Sequence, residues 1–108
     1  MTRIILSGAL GKMGRAITSC IESRNDCEIV AGVDLAAGEC SFPIFNSFNK
    51  INIDADVIID FSHPSAYDSL MEFAKMRKIP VIVATTGLSD EQRNSLSEYA
   101  KVIPVFFS

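Results

Sequence analysis

Short apolar runs and amphipathic stretches alternate along this chain. A run without polar alternation is typical of a strand that is covered on both faces of a parallel sheet. Five such runs, rich in β-branched residues, lie at positions 4–6, 29–31, 57–59, 81–83 and 102–107. Between them, stretches that begin at Met13 and Tyr67 repeat apolar residues at intervals of three and four. This spacing predicts helices with one buried face.

The helix starts carry local signals of their own. Pro64 suits a first helical turn, and residues 89–92 read S-x-x-Q, a capping box. Pro104 has no backbone N–H and therefore belongs at the start of a strand or on the edge of a sheet. Residues 36–56 are weakly patterned, with a possible short strand at 43–45 and otherwise a predicted loop.

Strands that alternate with helices predict parallel pairing through right-handed crossovers. We therefore expect an α/β fold of the Rossmann type, with a doubly wound, mainly parallel sheet and helices on both faces. The chain has 108 residues, of which 48% are hydrophobic, so we expect one domain over residues 1–108.

Charge and cysteine content narrow the classes of partner. The formal net charge of −3 argues against a nucleic-acid surface, and no apolar run approaches the length of a membrane span. Cys20, Cys27 and Cys40 are odd in number and lack C-x-x-C spacing, which indicates free thiols and no metal site. We expect a cytoplasmic protein.

The stretch SGALGKMG follows the first predicted strand and opens the first predicted helix. Its glycines, Gly8, Gly11 and Gly14, would permit a tight reversal, a close approach to a pyrophosphate and close packing of the helix on the strand. The helix N-terminus attracts anions, and Lys12 and Arg15 add to its positive field. A simple packing turn is the alternative, because the G-x-x-G-x-x-G form departs from the common G-x-G-x-x-G.

Polar residues follow the other predicted strands. Asp34 ends the second strand, where a carboxylate can bind both ribose hydroxyls of NADH; the alternative is a solvated turn residue. Because Leu35 follows, with no arginine to receive the extra phosphate of NADPH, we predict a preference for NADH. Residues 84–87, ATTG, offer hydroxyls to a nicotinamide ribose or carboxamide, although ordinary loop chemistry explains them nearly as well. His63, the single histidine, is expected to be a capping or surface residue.

Several motifs, in this order, resemble those of the dihydrodipicolinate reductases, also called 4-hydroxy-tetrahydrodipicolinate reductases, of bacterial lysine and diaminopimelate synthesis. They are GALGKMGR at 8–15, AGVD at 31–34, DFSHP at 60–64, ATTGL at 84–88 and PVFFS at 104–108. Ala84 departs from the family pattern, which usually has glycine at that position. The resemblance covers essentially the whole chain.

The resemblance implies a nucleotide-binding domain that uses NADH or NADPH to reduce a cyclic substrate. With the glycine turn, the candidate cofactor-binding residues are Gly8, Gly11, Lys12, Met13, Gly14, Asp34, Phe61, Ala84, Thr85, Thr86 and Gly87. The family continues into a second domain with a paired-histidine motif that is missing here. We therefore assign no catalytic residue and expect the 108 residues alone to be inactive. A nucleotide-sensing module and a ligand-free α/β scaffold are the alternatives.

Overall fold

Parallel strands form the central sheet of the computed structural model, which describes residues 1–36 and 38–107. The strands are β1 (Thr2–Ser7), β2 (Cys27–Val33), β3 (Ile44–Phe45), β4 (Val57–Asp60), β5 (Val81–Val83) and β6 (Val105–Phe107). The helices are α1 (Lys12–Glu22), α2 (Tyr67–Arg77) and α3 (Asp90–Tyr99). Two 3-10 helices cover Phe48–Lys50 and Pro64–Ala66.

The strand order is β3-β2-β1-β4-β5-β6, and every adjacent pair is parallel. The chain builds outward from β1 to β3, then returns to place β4 against the other side of β1. The predicted Rossmann-type fold is confirmed. Its topological switch point lies between β1 and β4, where ligands bind in such sheets.

Both faces of the sheet are covered, which explains why its strands lack polar alternation. On one face, Ile5 and Ile58 pack with Leu70 of α2 in the larger core. On the other face, Leu6 packs with Phe42 in a smaller core. Consecutive residues of β1 therefore enter different cores, and a polar residue at either position would be buried.

The buried face of α1 differs from the predicted one. Gly14 and Ile21 are its buried residues, whereas Met13 is 52% exposed. Gly14 lies against the backbone of the turn that precedes the helix. Because the helix approaches the preceding turn most closely at Gly14, Gly14 faces the protein and Met13 points away from the core.

The local signals at the ends of elements are mostly confirmed. Ser89 caps α3 in a reciprocal capping box with Gln92, with N···O distances of 3.1 and 3.0 Å. Pro64 starts a 3-10 helix that leads into α2. Pro104 directly precedes the edge strand β6.

The outer strands are short. β3 confirms the strand predicted near 43–45, and a 3-10 helix interrupts the predicted loop after it. The apolar run at 102–107 is a strand only from Val105 onwards, because residues 101–103 form a turn after α3. Ser108, at the end of the PVFFS motif, lies outside the described residues.

Cys20, Cys27 and Cys40 are free cysteines, as expected from their number and spacing. None of the helices in the described parts of the chain has the length and apolar character needed to cross a membrane.

Candidate functional site

A cavity of about 870 Å³ lies at the carboxyl ends of the strands, across the switch point between β1 and β4. Residues from the loops after β1, β2, β4 and β5 line it. The structure brings six of the predicted cofactor-binding residues together on its wall: Gly8, Gly11, Asp34, Phe61, Thr86 and Gly87. These residues are far apart in the sequence, and the parallel register of the sheet brings them together.

Two of the three glycines in the first turn are required by the protein itself. Gly8 has φ of +81°, and a Cβ built there would lie 2.8 Å from the carbonyl oxygen of Phe61. A Cβ on Gly14 would lie 2.6 Å from the carbonyl oxygen of Ala9. Both contacts are with backbone, which cannot move aside as a flexible side chain can. The packing-turn interpretation therefore accounts for Gly8 and Gly14.

Gly11 is different, because the fold does not need a glycine there. A Cβ on Gly11 would have the Gly8 carbonyl oxygen as its nearest neighbour, at 3.5 Å, an ordinary van der Waals distance. Gly11 is exposed, has an extended conformation with φ of −74°, and lines the cavity. Its missing side chain leaves space on the cavity side, as a closely approaching pyrophosphate requires.

The start of α1 offers unpaired donors to that space. Gly11 is the N-cap, and in residues 1–36 and 38–107 no side chain caps this helix. The first-turn N–H groups of Lys12, Met13 and Gly14 have no acceptor within the helix by its geometry. The first turn carries no acidic residue, and Arg15 is held at the turn by a 3.2 Å bond from its Nε to the Leu10 carbonyl. The site is therefore suited to a phosphate group.

Asp34 has a structural contact that the sequence pattern did not reveal. Its Oδ2 accepts a 2.9 Å hydrogen bond from the N–H of Leu10, and its Oδ1 accepts one of 3.0 Å from the N–H of Ala36. The carboxylate thus ties the glycine turn to the end of β2. Each carboxylate oxygen can accept a further bond, so the half-buried side chain can still receive ribose hydroxyls from the cavity.

The ATTG segment divides between the cavity and the interior. Thr86 and Gly87 are exposed and line the cavity. Thr85 is only 3% exposed, and its hydroxyl donates a 2.5 Å bond to Oδ2 of Asp60. Ala84 is half-buried, and its N–H donates to the carbonyl of Asp60 at 2.9 Å. Any ligand contact by Thr85 would therefore come from its backbone.

His63 has a capping contact. Its Nδ1 accepts a 3.1 Å hydrogen bond from the N–H of Ser65, at the start of the 3-10 helix that precedes α2. This contact confirms the prediction that His63 is a capping or surface residue. The ring needs its proton on Nε2 to accept at Nδ1.

Polar side chains also lie beneath the cavity. Ser7 lines the cavity and is 1% exposed, and its Oγ has no hydrogen-bond partner among the described residues. Asp60, its partner in the register between β1 and β4, is also 1% exposed. In the sequence Asp60 directly follows the apolar run at 57–59, and no role followed from that position. The available signal was an acidic residue at the end of an apolar run, two positions before a serine.

The chain matches one protein family over nearly its whole length. The family described as "Dihydrodipicolinate reductase, N-terminus" matches residues 2–108. The chain is 43% identical over 109 residues to the 4-hydroxy-tetrahydrodipicolinate reductase of Clostridium novyi (strain NT), covering 100% of this chain and 43% of that protein. It is 44% identical over 109 residues to the enzyme of the same name from Clostridium tetani, with the same two coverages.

A solved structure shares the fold. It is the dipicolinate-bound dihydrodipicolinate reductase from Paenisporosarcina sp. TG-14, with a TM-score of 0.78 and 23% identity. The match covers 94% of this chain and 44% of that one. The chain thus spans less than half the length of the reductases that it matches.

Proposed function

This chain belongs to the dihydrodipicolinate reductase family as its N-terminal, nucleotide-binding domain, and on that premise we propose that the cavity binds a nicotinamide dinucleotide. The pyrophosphate lies against Gly11 and the start of α1. The adenosine ribose faces Asp34, and the nicotinamide half faces Phe61 and Thr86. When bound, the dinucleotide supplies a hydride. The reductase to which this domain corresponds uses it to reduce a cyclic substrate, 4-hydroxy-tetrahydrodipicolinate.

The observation that carries this proposal is the contrast among the three glycines. Gly8 and Gly14 meet protein backbone, whereas Gly11 meets open cavity. Packing alone does not require the third glycine, because a Cβ has room there and Asn, Asp and Ser are better N-cap residues than glycine. A ligand that approaches the backbone explains the absence of a side chain at this point.

Substitution of Gly11 tests the proposal. Gly11→Val should fold, because its Cβ has room, but its side chain would occupy the space of the phosphates. We expect the Kd for NADH, measured by calorimetric titration, to rise on the order of tenfold or more. Ala16→Val, an exposed change on the same helix that does not line the cavity, should bind as the parent does. Equal NADH binding by Gly11→Val and the parent would place the phosphates elsewhere.

We further propose that the site prefers NADH to NADPH. The 2′-phosphate of NADPH would approach the Asp34 carboxylate, and the next residue, Leu35, is 87% exposed and carries no charge to receive it. The unscreened repulsion at a few ångströms is about 1–4 kcal/mol at near-surface dielectric. Lys12 and the N-terminus of α1 offset part of this. The preference should therefore be moderate and should grow at low salt.

Two substitutions at Asp34 test the cofactor preference. Asp34→Ser removes the carboxylate, whereas Asp34→Asn removes the charge and keeps an acceptor for the Leu10 N–H. Both variants should bind NADH more weakly and NADPH more tightly than the parent does. The ratio of the NADPH Kd to the NADH Kd should therefore fall. NADPH binding more tightly than NADH in the parent, or a ratio that neither variant moves, would show that Asp34 does not contact the ribose.

The reaction itself is tested with the native reductase. Loss of NADH absorbance in the presence of the cyclic substrate is the expected result. Oxidation of NADH with an unrelated carbonyl substrate, and none with the cyclic one, would contradict the proposed activity.

A further inference from the structure

The carboxylate of Asp60 connects two loops that lie on the same side of the cavity. Its Oδ1 accepts hydrogen bonds from the N–H and the hydroxyl of Ser62, at 3.1 and 2.5 Å. Its Oδ2 accepts the hydroxyl of Thr85 at 2.5 Å. Ser62 belongs to the loop after β4, and Thr85 belongs to the loop after β5. One buried carboxylate thus holds both loops.

Burial of this carboxyl group needs a reason, because a polar group is costly to remove from water unless it is hydrogen-bonded. The ion pairs in residues 1–36 and 38–107 involve other carboxylates. Asp60 is satisfied by hydroxyl and amide donors alone. A hydrophobic residue could fill a core position at lower cost, so the benefit of Asp60 lies in what it connects.

The two connected loops carry the cavity residues of the β4–β5 side. Phe61 lies between Asp60 and Ser62, and Thr86 and Gly87 follow Thr85. A backbone bond of 2.9 Å from the Ala84 N–H to the Asp60 carbonyl holds the loops together at their start. The side-chain bonds extend this connection to Ser62 and Thr85, which adjoin the cavity residues Phe61 and Thr86.

We propose that Asp60 and Thr85 form a hydrogen-bonded clamp that positions the nicotinamide half of the bound dinucleotide. Neither side chain contacts the ligand, so both are positioning residues, which act through Phe61 and Thr86. The inference rests on the proposed function, because it assumes that this cavity binds a dinucleotide. It adds a role for a buried carboxylate that dinucleotide binding does not by itself require.

The adenosine side of the cavity is held by separate contacts. Asp34 bonds the Leu10 N–H, and the N–H of Gly8 donates to the Val33 carbonyl at 2.8 Å. Loss of the clamp should therefore disturb one half of the ligand site and leave the other intact. ADP-ribose, which has the adenosine and pyrophosphate of NADH but no nicotinamide, distinguishes the two halves.

The test compares Thr85→Val, which has no hydroxyl, with Thr85→Ser, which keeps one. Calorimetric titration of the 108-residue chain with NADH and with ADP-ribose measures each half. Thr85→Val should raise the Kd for NADH about five- to tenfold, because binding must then order loops that this hydrogen bond already holds in the free parent, and should change the Kd for ADP-ribose less than about twofold. Thr85→Ser should bind both ligands as the parent does. Thr2→Val, an exposed change at the opposite end of β1, is the matched control.

The outcomes separate the clamp from the function on which it rests. If Thr85→Val raises the Kd for NADH and the Kd for ADP-ribose equally, the substitution causes a general loss of structure. If the Kd for NADH is unchanged, the clamp does not position the ligand. Either result overturns the inference. If the parent binds neither ligand, the proposed function fails and the clamp fails with it. Asp60→Ala removes both acceptor oxygens and so breaks the clamp from its other side. If Thr85→Val does not fold, Asp60→Ala should weaken NADH binding and leave ADP-ribose binding unchanged, and the absence of this difference overturns the clamp.

Discussion

Gly14→Ala should destabilise the protein although alanine is the better helix former. Gly14 is the third residue of α1, where an exposed glycine-to-alanine change would gain about 1 kcal/mol of helix propensity. Here the new Cβ would lie 2.6 and 2.7 Å from the carbonyl oxygen and carbon of Ala9, and closer still to the Gly8 carbonyl oxygen. Overpacking in a core costs about 1–3 kcal/mol, and the upper end applies because both contacts are with backbone. The net loss should be about 2 kcal/mol.

Urea unfolding followed by far-ultraviolet circular dichroism measures this loss as a lower midpoint at an unchanged slope. The same loss corresponds to a fall of about 8 °C in Tm for a domain of this size. Gly11→Ala is the matched control, because its Cβ has no neighbour nearer than 3.5 Å, and it should lose less than about 1 kcal/mol. If Gly14→Ala is as stable as the parent, or if both variants are destabilised equally, the assignment of Gly14 to packing and Gly11 to the ligand is wrong.

Two further predictions concern α3 and its contacts. Ser89→Ala should lose about 1 kcal/mol of unfolding free energy with the capping box, measured by urea unfolding against Ser97→Ala on an exposed turn of the same helix. Burial, and then the 2.8 Å bond to Glu72, raise the pKa of Tyr99 from 10.0 to about 12. The neutral phenol is thus favoured in the folded state, so its contribution to stability is full below pH 10 and is lost as the pH rises from about 10 to about 12. Absorbance titration of the tyrosinate in Tyr67→Phe should show this late ionisation, and Glu72→Gln should lower the Tyr99 pKa; a Tyr99 that titrates near 10 would contradict the contact.

The sequence determined the features whose physical cause is local. β-branched runs without polar alternation predicted the buried parallel strands, because both faces of such a strand must be apolar. The S-x-x-Q spacing predicted the cap at Ser89, because its reciprocal bonds span only three residues. The glycine turn after the first strand predicted where a phosphate could approach, and the structure places Gly11 on the wall of the cavity.

The tertiary structure decided what depends on contacts between distant residues. The three glycines look alike in the sequence, and only the position of the Phe61 carbonyl over Gly8, and of the turn beneath Gly14, separates their roles. The bond from Thr85 to Asp60 spans 25 residues, and the bond from Leu10 to Asp34 spans 24. Such pairs meet because the register of parallel strands brings their carboxyl ends to one edge. That register is set by burial on both faces of the whole sheet, which no local pattern contains.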